Sequence, residues 1–372
     1  MDIQRVLIML GLAVTSYMLI LAWNEDYYQG STQTTEDSVV VNDDYATGDI
    51  LPTMSEPTST GFTDIVPSLE GDDVTQAVVS VPVARNLVTV TTDVLVVKID
   101  TLGGDIVSVA LPRFPEKLET PEIPFVLVDP KNSYVAQSGL IGPSGTDKKG
   151  TRPTFTADRM SFEMGNAPEL TVTLSTVQLD GTTILKNYHF TRGDYLVDVD
   201  YQITNLGESA WKGGLFAQIK RDGQSPVSSS ENLMGMQPYV GGATRSDDEF
   251  YRKLEFDDLE EEPYKLTLDE GYIAMVQHYF VSAWVPRELS GNTYRGRKLK
   301  DQDIYIFGLT TAPVTIEPGD TGTIGASFYA GPKDQYRLEE IATGLELTVD
   351  YGFLWWLAQP LFFMLTAIHS FV

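Results

Sequence analysis

Hydrophobic positions fall into distinct regimes along the chain. From Val6 to Trp23 the run VLIMLGLAVTSYMLILAW contains 18 residues and no charge. At about 1.5 Å per residue it is long enough to cross most of a roughly 30 Å hydrocarbon layer. Residues 24 to 80 hold few large apolar side chains and keep no period. After Val81 the texture becomes short runs of Val, Ile, Thr, Leu and aromatics broken by Gly, Pro, Asn and Asp, the mark of an all-β body. A helical period returns near the end, and from Tyr351 to Val372 apolar residues dominate again.

The first run reads as an uncleaved membrane anchor, with Val6, Leu10, Tyr17, Leu21 and Trp23 among its lipid-facing residues. It exceeds the usual apolar core of a signal peptide, and the bulky Leu19 and Ile20 precede the only plausible cleavage point at Ala22. Arg5 lies before the span while Glu25 and Asp26 follow it, which places the N-terminus in the cytoplasm and the body across the membrane. The next stretch, 24 to 80, carries 12 acidic residues and no Lys or Arg. It buries too little apolar surface to offset its ordering entropy and reads as a disordered, self-repelling linker.

Within the body, LVTVTTDVLVVKIDT (87 to 101) predicts one or two strands, and a Gly103-Gly104-Asp105 turn leads into IVSVALP. The segments 170 to 179 and 182 to 191 alternate apolar and polar residues around Asp180-Gly181, which predicts a hairpin. YLVDVDYQITN (195 to 205) alternates as a strand with one buried face, and further strands are expected around 211 to 220, 271 to 280, 303 to 311 and 321 to 329. The sum over 81 to 333 is a large antiparallel double-sheet fold. Asp334 is placed to cap a short helix in which Leu338, Ile341, Ala342 and Leu345 share a face, giving a helical connection over 334 to 350.

The tail YGFLWWLAQPLFFMLTAIHSFV (351 to 372) has no Asp, Glu, Lys or Arg. Wound as a helix, it gathers Gly352, Gln359, Thr366 and Ser370 into a thin polar stripe, so its residues suit either a span or a helix lying along the interface. In the interfacial reading Phe353, Trp355, Trp356, Phe362 and Phe363 meet the lipid, and Pro360 bends the helix.

Charge and composition narrow the function. A formal net charge of -26 repels phosphate backbones, so nucleic acid is excluded as a partner. With no cysteine the chain has no thiol nucleophile, thiolate metal site or disulfide. The acidic run DDLEEE (257 to 262) lacks the alternating ligands and glycine turn of a calcium loop. GDTGTIG (319 to 325) has neither spacing of a phosphate-binding loop and reads as turn glycines. His189 and His278 lie in predicted strands beside aromatic residues, Tyr188 and Phe190 for the first and Tyr279 and Phe280 for the second, which suits structural residues better than a catalytic pair, and no cofactor or metal is expected.

Several long segments, in order, resemble the YidC family of bacterial membrane protein insertases: the N-terminal run, TDVLVVKIDTLGGDIVSVALPRFP (92 to 115), YVAQSGLIG (134 to 142), TRGDYLVDVDYQITNLGE (191 to 208), GYIAMVQHYFVSAWVP (271 to 286) and the segment 345 to 372. The resemblance implies a periplasmic β-supersandwich similar to galactose mutarotases, held by one inner-membrane anchor, with the tail lying at the membrane face. It also implies a non-enzymatic role in membrane protein insertion, with nascent membrane proteins, the Sec translocon and the lipid bilayer as partners. The sequence ends at Val372, before the membrane helices and intramembrane arginine of the family's insertase core. These residues alone would then not insert proteins. The competing reading is a membrane-tethered carbohydrate-binding or mutarotase-like protein.

Overall fold

The computed structural model describes residues 86–148, 151–224 and 239–349, together with Pro67. All of them belong to one compact unit, Ser59–Val372. The anchor residues Val6, Leu10, Tyr17, Leu21 and Trp23, the linker, and the tail residues Phe353, Trp355, Trp356, Pro360, Phe362 and Phe363 lie outside the described residues. Among the described residues no helix is long and apolar enough to cross a membrane.

Strands, numbered in chain order, build two sheets. The larger contains β1 (Leu87–Thr91), β2 (Val96–Asp100), β3 (Asp105–Lys117), β4 (Thr120–Val128), β5 (Val135–Ile141), β7 (Ser161–Glu163), β11 (Trp211–Asp222), β14 (Tyr264–Leu268), β17 (Asn292–Lys298), β18 (Ile304–Thr310) and β19 (Val314–Ile316). Its order is β14-β17-β18-β11-β5-β3-β2-β1-β7, with β4 on β3 and β19 on β11. The smaller contains β6 (Thr156–Ala157), β8 (Glu169–Val177), β9 (Thr183–Thr191), β10 (Leu196–Thr204), β12 (Gly241–Thr244), β13 (Arg252–Leu254), β15 (Ile273–Val276), β16 (Phe280–Pro286) and β20 (Thr321–Pro332). It runs β13-β12-β15-β16-β20-β10-β9-β8-β6. Pairing is antiparallel throughout except between β1 and β7, so the body is mainly β and antiparallel, as the alternation predicts.

The sheets meet in a single core. Val90, Ile99, Leu215 and Ile219 from the larger sheet pack with Val172, Tyr188, Ile203 and Phe328 from the smaller. Each such side chain contributes roughly 1.5 to 3 kcal/mol by leaving water. In β10 the alternation turns Val197, Val199, Tyr201 and Ile203 inward and Asp198 and Gln202 outward.

Three expectations need correction. The stretch 271 to 280 is not one strand: β15 stops at Val276 and β16 begins at Phe280, with a tight turn closed by the Gln277 N–H donating to the Phe280 carbonyl at 2.9 Å. The sequence pattern assigns DDLEEE no secondary structure, yet Phe256–Glu261 form a helix, α1, whose acidic side chains are solvent-exposed and whose first turn holds Asp257 and Asp258 where the helix dipole favours negative charge. Nor does the strand after Asp105 stop at Pro112. It continues to Lys117 and returns as β4, with register shifts near Pro115. Pro121 and Pro124 lie on β4, which pairs with β3 alone among the described residues, and Pro112 and Pro115 lie on β3 beyond Ala110, where its pairing with β2 has ended.

Candidate functional site

The last described part of the chain crosses the outer face of the smaller sheet, and this dock is the candidate site. Asp334 caps α2 (Gln335–Ile341) by accepting from the Tyr336 and Arg337 backbone N–H groups at 3.1 and 3.3 Å. Capping satisfies donors that the first helical turn leaves open. Leu338 and, in the 3-10 turn Leu345–Thr348, Leu345 are completely buried. They pack with Ala243, Tyr272, Val281 and Tyr329 of the sheet, and Ile341, Ala342 and Val349 lie against the same cluster.

Polar contacts lock the dock at both ends. At its start Arg337 donates to Asp194, in the turn between β9 and β10, at 2.6 and 3.2 Å. Those hydrogen bonds raise the pKa of Arg337. At its end the Tyr272 hydroxyl lies 3.0 Å from the Gly344 carbonyl and 3.2 Å from that of Phe250. Gly344 has φ +93, and a Cβ there would run into the Phe250 carbonyl, so the position requires glycine. The sequence pattern of 334 to 345 thus forms a strap fixed to the body along its length.

A second assembly is buried between the sheets. Arg152 bridges Asp105 at 2.5 Å and Asp147 at 2.8 Å, with all three side chains almost fully buried. Lys186 donates to the carbonyls of Gly103, Gly104 and Ser138 at 3.0, 2.7 and 3.1 Å, and Tyr188 donates to that of Gly104. Gln137 links Asp105 to Gln218 at 2.8 and 3.0 Å, and Ser138 pairs with the Tyr201 hydroxyl at 3.0 Å. Burial pushes the Lys186 ammonium down to about 7, opposed by Asp105. The same desolvation raises Asp147, against the pull of Arg152, and raises both tyrosines. Buried charges survive only when paired and hydrogen-bonded, and this cluster joins the strand-led half of each sheet through such pairs.

Neither assembly was read from the sequence as a site. Lys186 carries one usable signal: it occupies an inward phase of TILKNYHFT, between Ile184 and Tyr188. The other members are separated by tens of residues and meet only in the fold.

The histidines do not form a pair. His189 sits on the outer face of β9, with Nε2 2.6 Å from Asp200 and Nδ1 3.0 Å from Thr171. His278 lies in the turn before β16, its ring stacked on Tyr279 at 3.9 Å. Register carries His189 across Asp198 and Ser327 to Val285, seven residues along the strand direction from His278. At about 3.4 Å per residue that is more than 20 Å, so a shared sugar-epimerising centre is ruled out for these two residues. His369 lies outside the described residues.

The remaining candidates are unremarkable chemically. A cleft of about 620 Å³ beside α1 mixes Asp247, Asp248 and Asp258 with Arg252 and Lys253. Among the described residues no group of three or more potential ligands could hold a metal. Gly319 turns the chain at φ +88 and GDTGTIG then runs into β20 as turn and strand.

The family model for the YidC periplasmic domain matches residues 87–364. Over its whole length the chain is 42% identical to the membrane protein insertase YidC of Cellvibrio japonicus and 40% identical to that of Alcanivorax borkumensis, spanning 66% and 65% of those proteins. It therefore covers just under two thirds of the length of these relatives. Among solved structures it is similar to the Slr1438 protein of Synechocystis sp. PCC 6803, with 8% identity, a TM-score of 0.43, and coverage of 68% of this chain and 99% of that one. A galactose mutarotase-like protein from Lactobacillus casei matches with 10% identity and a TM-score of 0.43, over 66% of this chain and 99% of that one. Likeness this loose carries no argument about activity. The family model covers the two-sheet body and its docked strap, the relatives cover the entire chain, and the protein belongs to the YidC family.

Proposed function

We propose that this chain is the anchored, extracytoplasmic part of a membrane protein insertase, which assists newly made inner-membrane proteins alone or beside the Sec translocon. In this reading residues 1 to 23 span the inner membrane with the N-terminus in the cytoplasm, 24 to 80 act as a flexible tether, the strand-built body lies in the periplasm, and 351 to 372 form an interfacial helix leading into the insertase core. The body acts through protein and lipid contacts rather than by catalysis. Insertion itself belongs to the part of the relatives that this chain does not span.

The observation that carries the reading is the whole-chain likeness to proteins named membrane protein insertase, which includes both charge-free apolar runs. Such runs before and after a polar body are what a domain held against a bilayer requires. Protease added to intact spheroplasts tests the topology: the body should be digested without lysis, and protection until lysis would reverse the proposed orientation. A chimera of this chain with the remaining third of a relative tests the activity. It should restore insertion in cells depleted of their own insertase, and failure of a stable, membrane-located chimera would count against the role.

A further inference from the structure

The position of the body is fixed up to Val349, which packs against the cluster under the strap. The charge-free stretch begins two residues later, at Tyr351. Two residues of extended chain reach only about 7 Å. On the proposed function that stretch is membrane-associated, and whether it spans the bilayer or lies along it, the end of the body from which Val349 emerges would then lie close to the lipid boundary.

The loops around this exit carry apolar side chains that nothing in the body covers. Phe250, Leu289 and Leu347 are 55%, 62% and 48% exposed. Contacts join them into one region. The carbonyls of Phe250 and Gly344 share the Tyr272 hydroxyl, and Leu347 follows three residues after Gly344. The Arg245 guanidinium lies 5.2 Å over the Phe250 ring and 3.4 Å from Glu270. Beside Glu270, Asp269 accepts from the backbone N–H of Gly291 at 2.8 Å, which fixes the loop bearing Leu289. Exposed apolar side chains also occur elsewhere on the body, Leu118 and Leu179 among them, so exposure alone assigns nothing. What distinguishes Phe250, Leu289 and Leu347 is that contacts group them around the point where the chain leaves toward its charge-free stretch.

We infer that this end of the body rests on the lipid surface, with Phe250, Leu289 and Leu347 entering the headgroup region. The inference depends on residues 351 to 372 being membrane-associated, and it adds a second, independent contact made by the folded body. Side chains of this kind settle about 5 to 10 Å into the headgroup and acyl boundary. Asp247, Asp248 and Glu249 share the loop with Phe250, so contact with neutral headgroups is favoured over anionic ones.

The chain has no cysteine, so a single introduced cysteine takes a single label. The full chain is reconstituted into phosphatidylcholine vesicles as Phe250→Cys, Leu289→Cys and Leu347→Cys, each bearing an environment-sensitive fluorophore. Leu118→Cys is the water control: it is 90% exposed at the tip of the β3–β4 hairpin, whose Phe125 stacks on Phe280, at the end of β16 opposite the Leu289 loop. Phe363→Cys reports on the tail. Labels at 250, 289 and 347 should shift to the blue and lose intensity to lipid-borne nitroxides, as should the label at 363, while that at 118 does neither. If 250, 289 and 347 behave like 118 and only 363 senses lipid, the inference is wrong and the tail assignment stands. If 363 also stays in water, both fall. The three sites lie on the surface, so one misfolded variant, detected by its unfolding midpoint, leaves two independent reports.

Discussion

Asp194 and Arg337 are 143 residues apart in sequence and form a two-point ion pair at 2.6 and 3.2 Å, fastening the turn between β9 and β10 to the first turn of α2. This pair holds the strap where it leaves β20. Arg337→Gln should lower the stability of the body by about 0.5 to 1 kcal/mol, since the pair is partly solvent-exposed and screened. Hydrogen exchange should show faster opening of residues 335 to 348 with little change in β9 or β10. Uniform acceleration across the body would instead mean that the strap and the sheets open together.

Asp334→Ala removes the cap of a helix only 7 residues long. A loss of about 1 kcal/mol is expected, with Asp334→Asn retaining most of the stability. Gly344→Ala should be worse than either, because the alanine must hold positive φ and its Cβ meets the Phe250 carbonyl. Urea midpoints of the three variants check the order.

The buried ion cluster makes a sharper prediction. Arg152→Met leaves Asp105 and Asp147 inside the protein without their shared cation, at a cost of about 3 to 5 kcal/mol. A double change, Arg152→Met with Asp147→Asn, should recover part of that loss. Denaturation of the single and double variants decides the matter, and an additive result would show that the two residues do not act as a pair.

Lys186 gives the body a pH dependence of known sign. Its pKa is pushed down from 10.5 to about 7, so between those values the unfolded chain binds more protons than the folded one. Stability from this group therefore rises with pH across that window, by on the order of 1 kcal/mol per unit at most. Lys186→Met should be less stable at every pH, because the carbonyls of Gly103, Gly104 and Ser138 lose their donor, yet its stability should climb less steeply from pH 7 to 10. Parallel melting curves with the same slope for both proteins would contradict the assignment.

With a net charge of -26, self-repulsion should be relieved by screening. The melting temperature is expected to rise when salt is raised from low to physiological levels. A flat response would mean that the acidic residues do not strain the body.

Much of the fold could be read from local pattern, and the exceptions have physical reasons. The β8–β9 hairpin was legible because alternation on both sides flanks Asp180-Gly181, and Gly181 does adopt the positive φ, +88, that such a turn requires. The turn Gln277-His278-Tyr279 contains none of the usual turn residues, so β15 and β16 looked like one strand. The six residues of α1 complete fewer than two turns, too short for a helical period to emerge. The strap was legible in part: Asp334 caps the helix and Leu338 and Ile341 lie on it, but the helix ends at Ile341, Ala342 is extended, and Leu345 belongs to a separate 3-10 turn rather than to the same helical face. The ion cluster was illegible for a deeper reason. Asp105, Asp147, Arg152 and Lys186 become neighbours only when both sheets close, and no short-range rule connects them.

The proline-bearing hairpin of β3 and β4 has one further consequence. Pro121 and Pro124 each leave β4 without an amide donor, and the register shifts near Pro115 make this border of the larger sheet irregular. Such a border is a poor template for an extra strand. A body that offers so poor a template at this border is guarded there against being drawn into strand-on-strand aggregates with other unfolded chains.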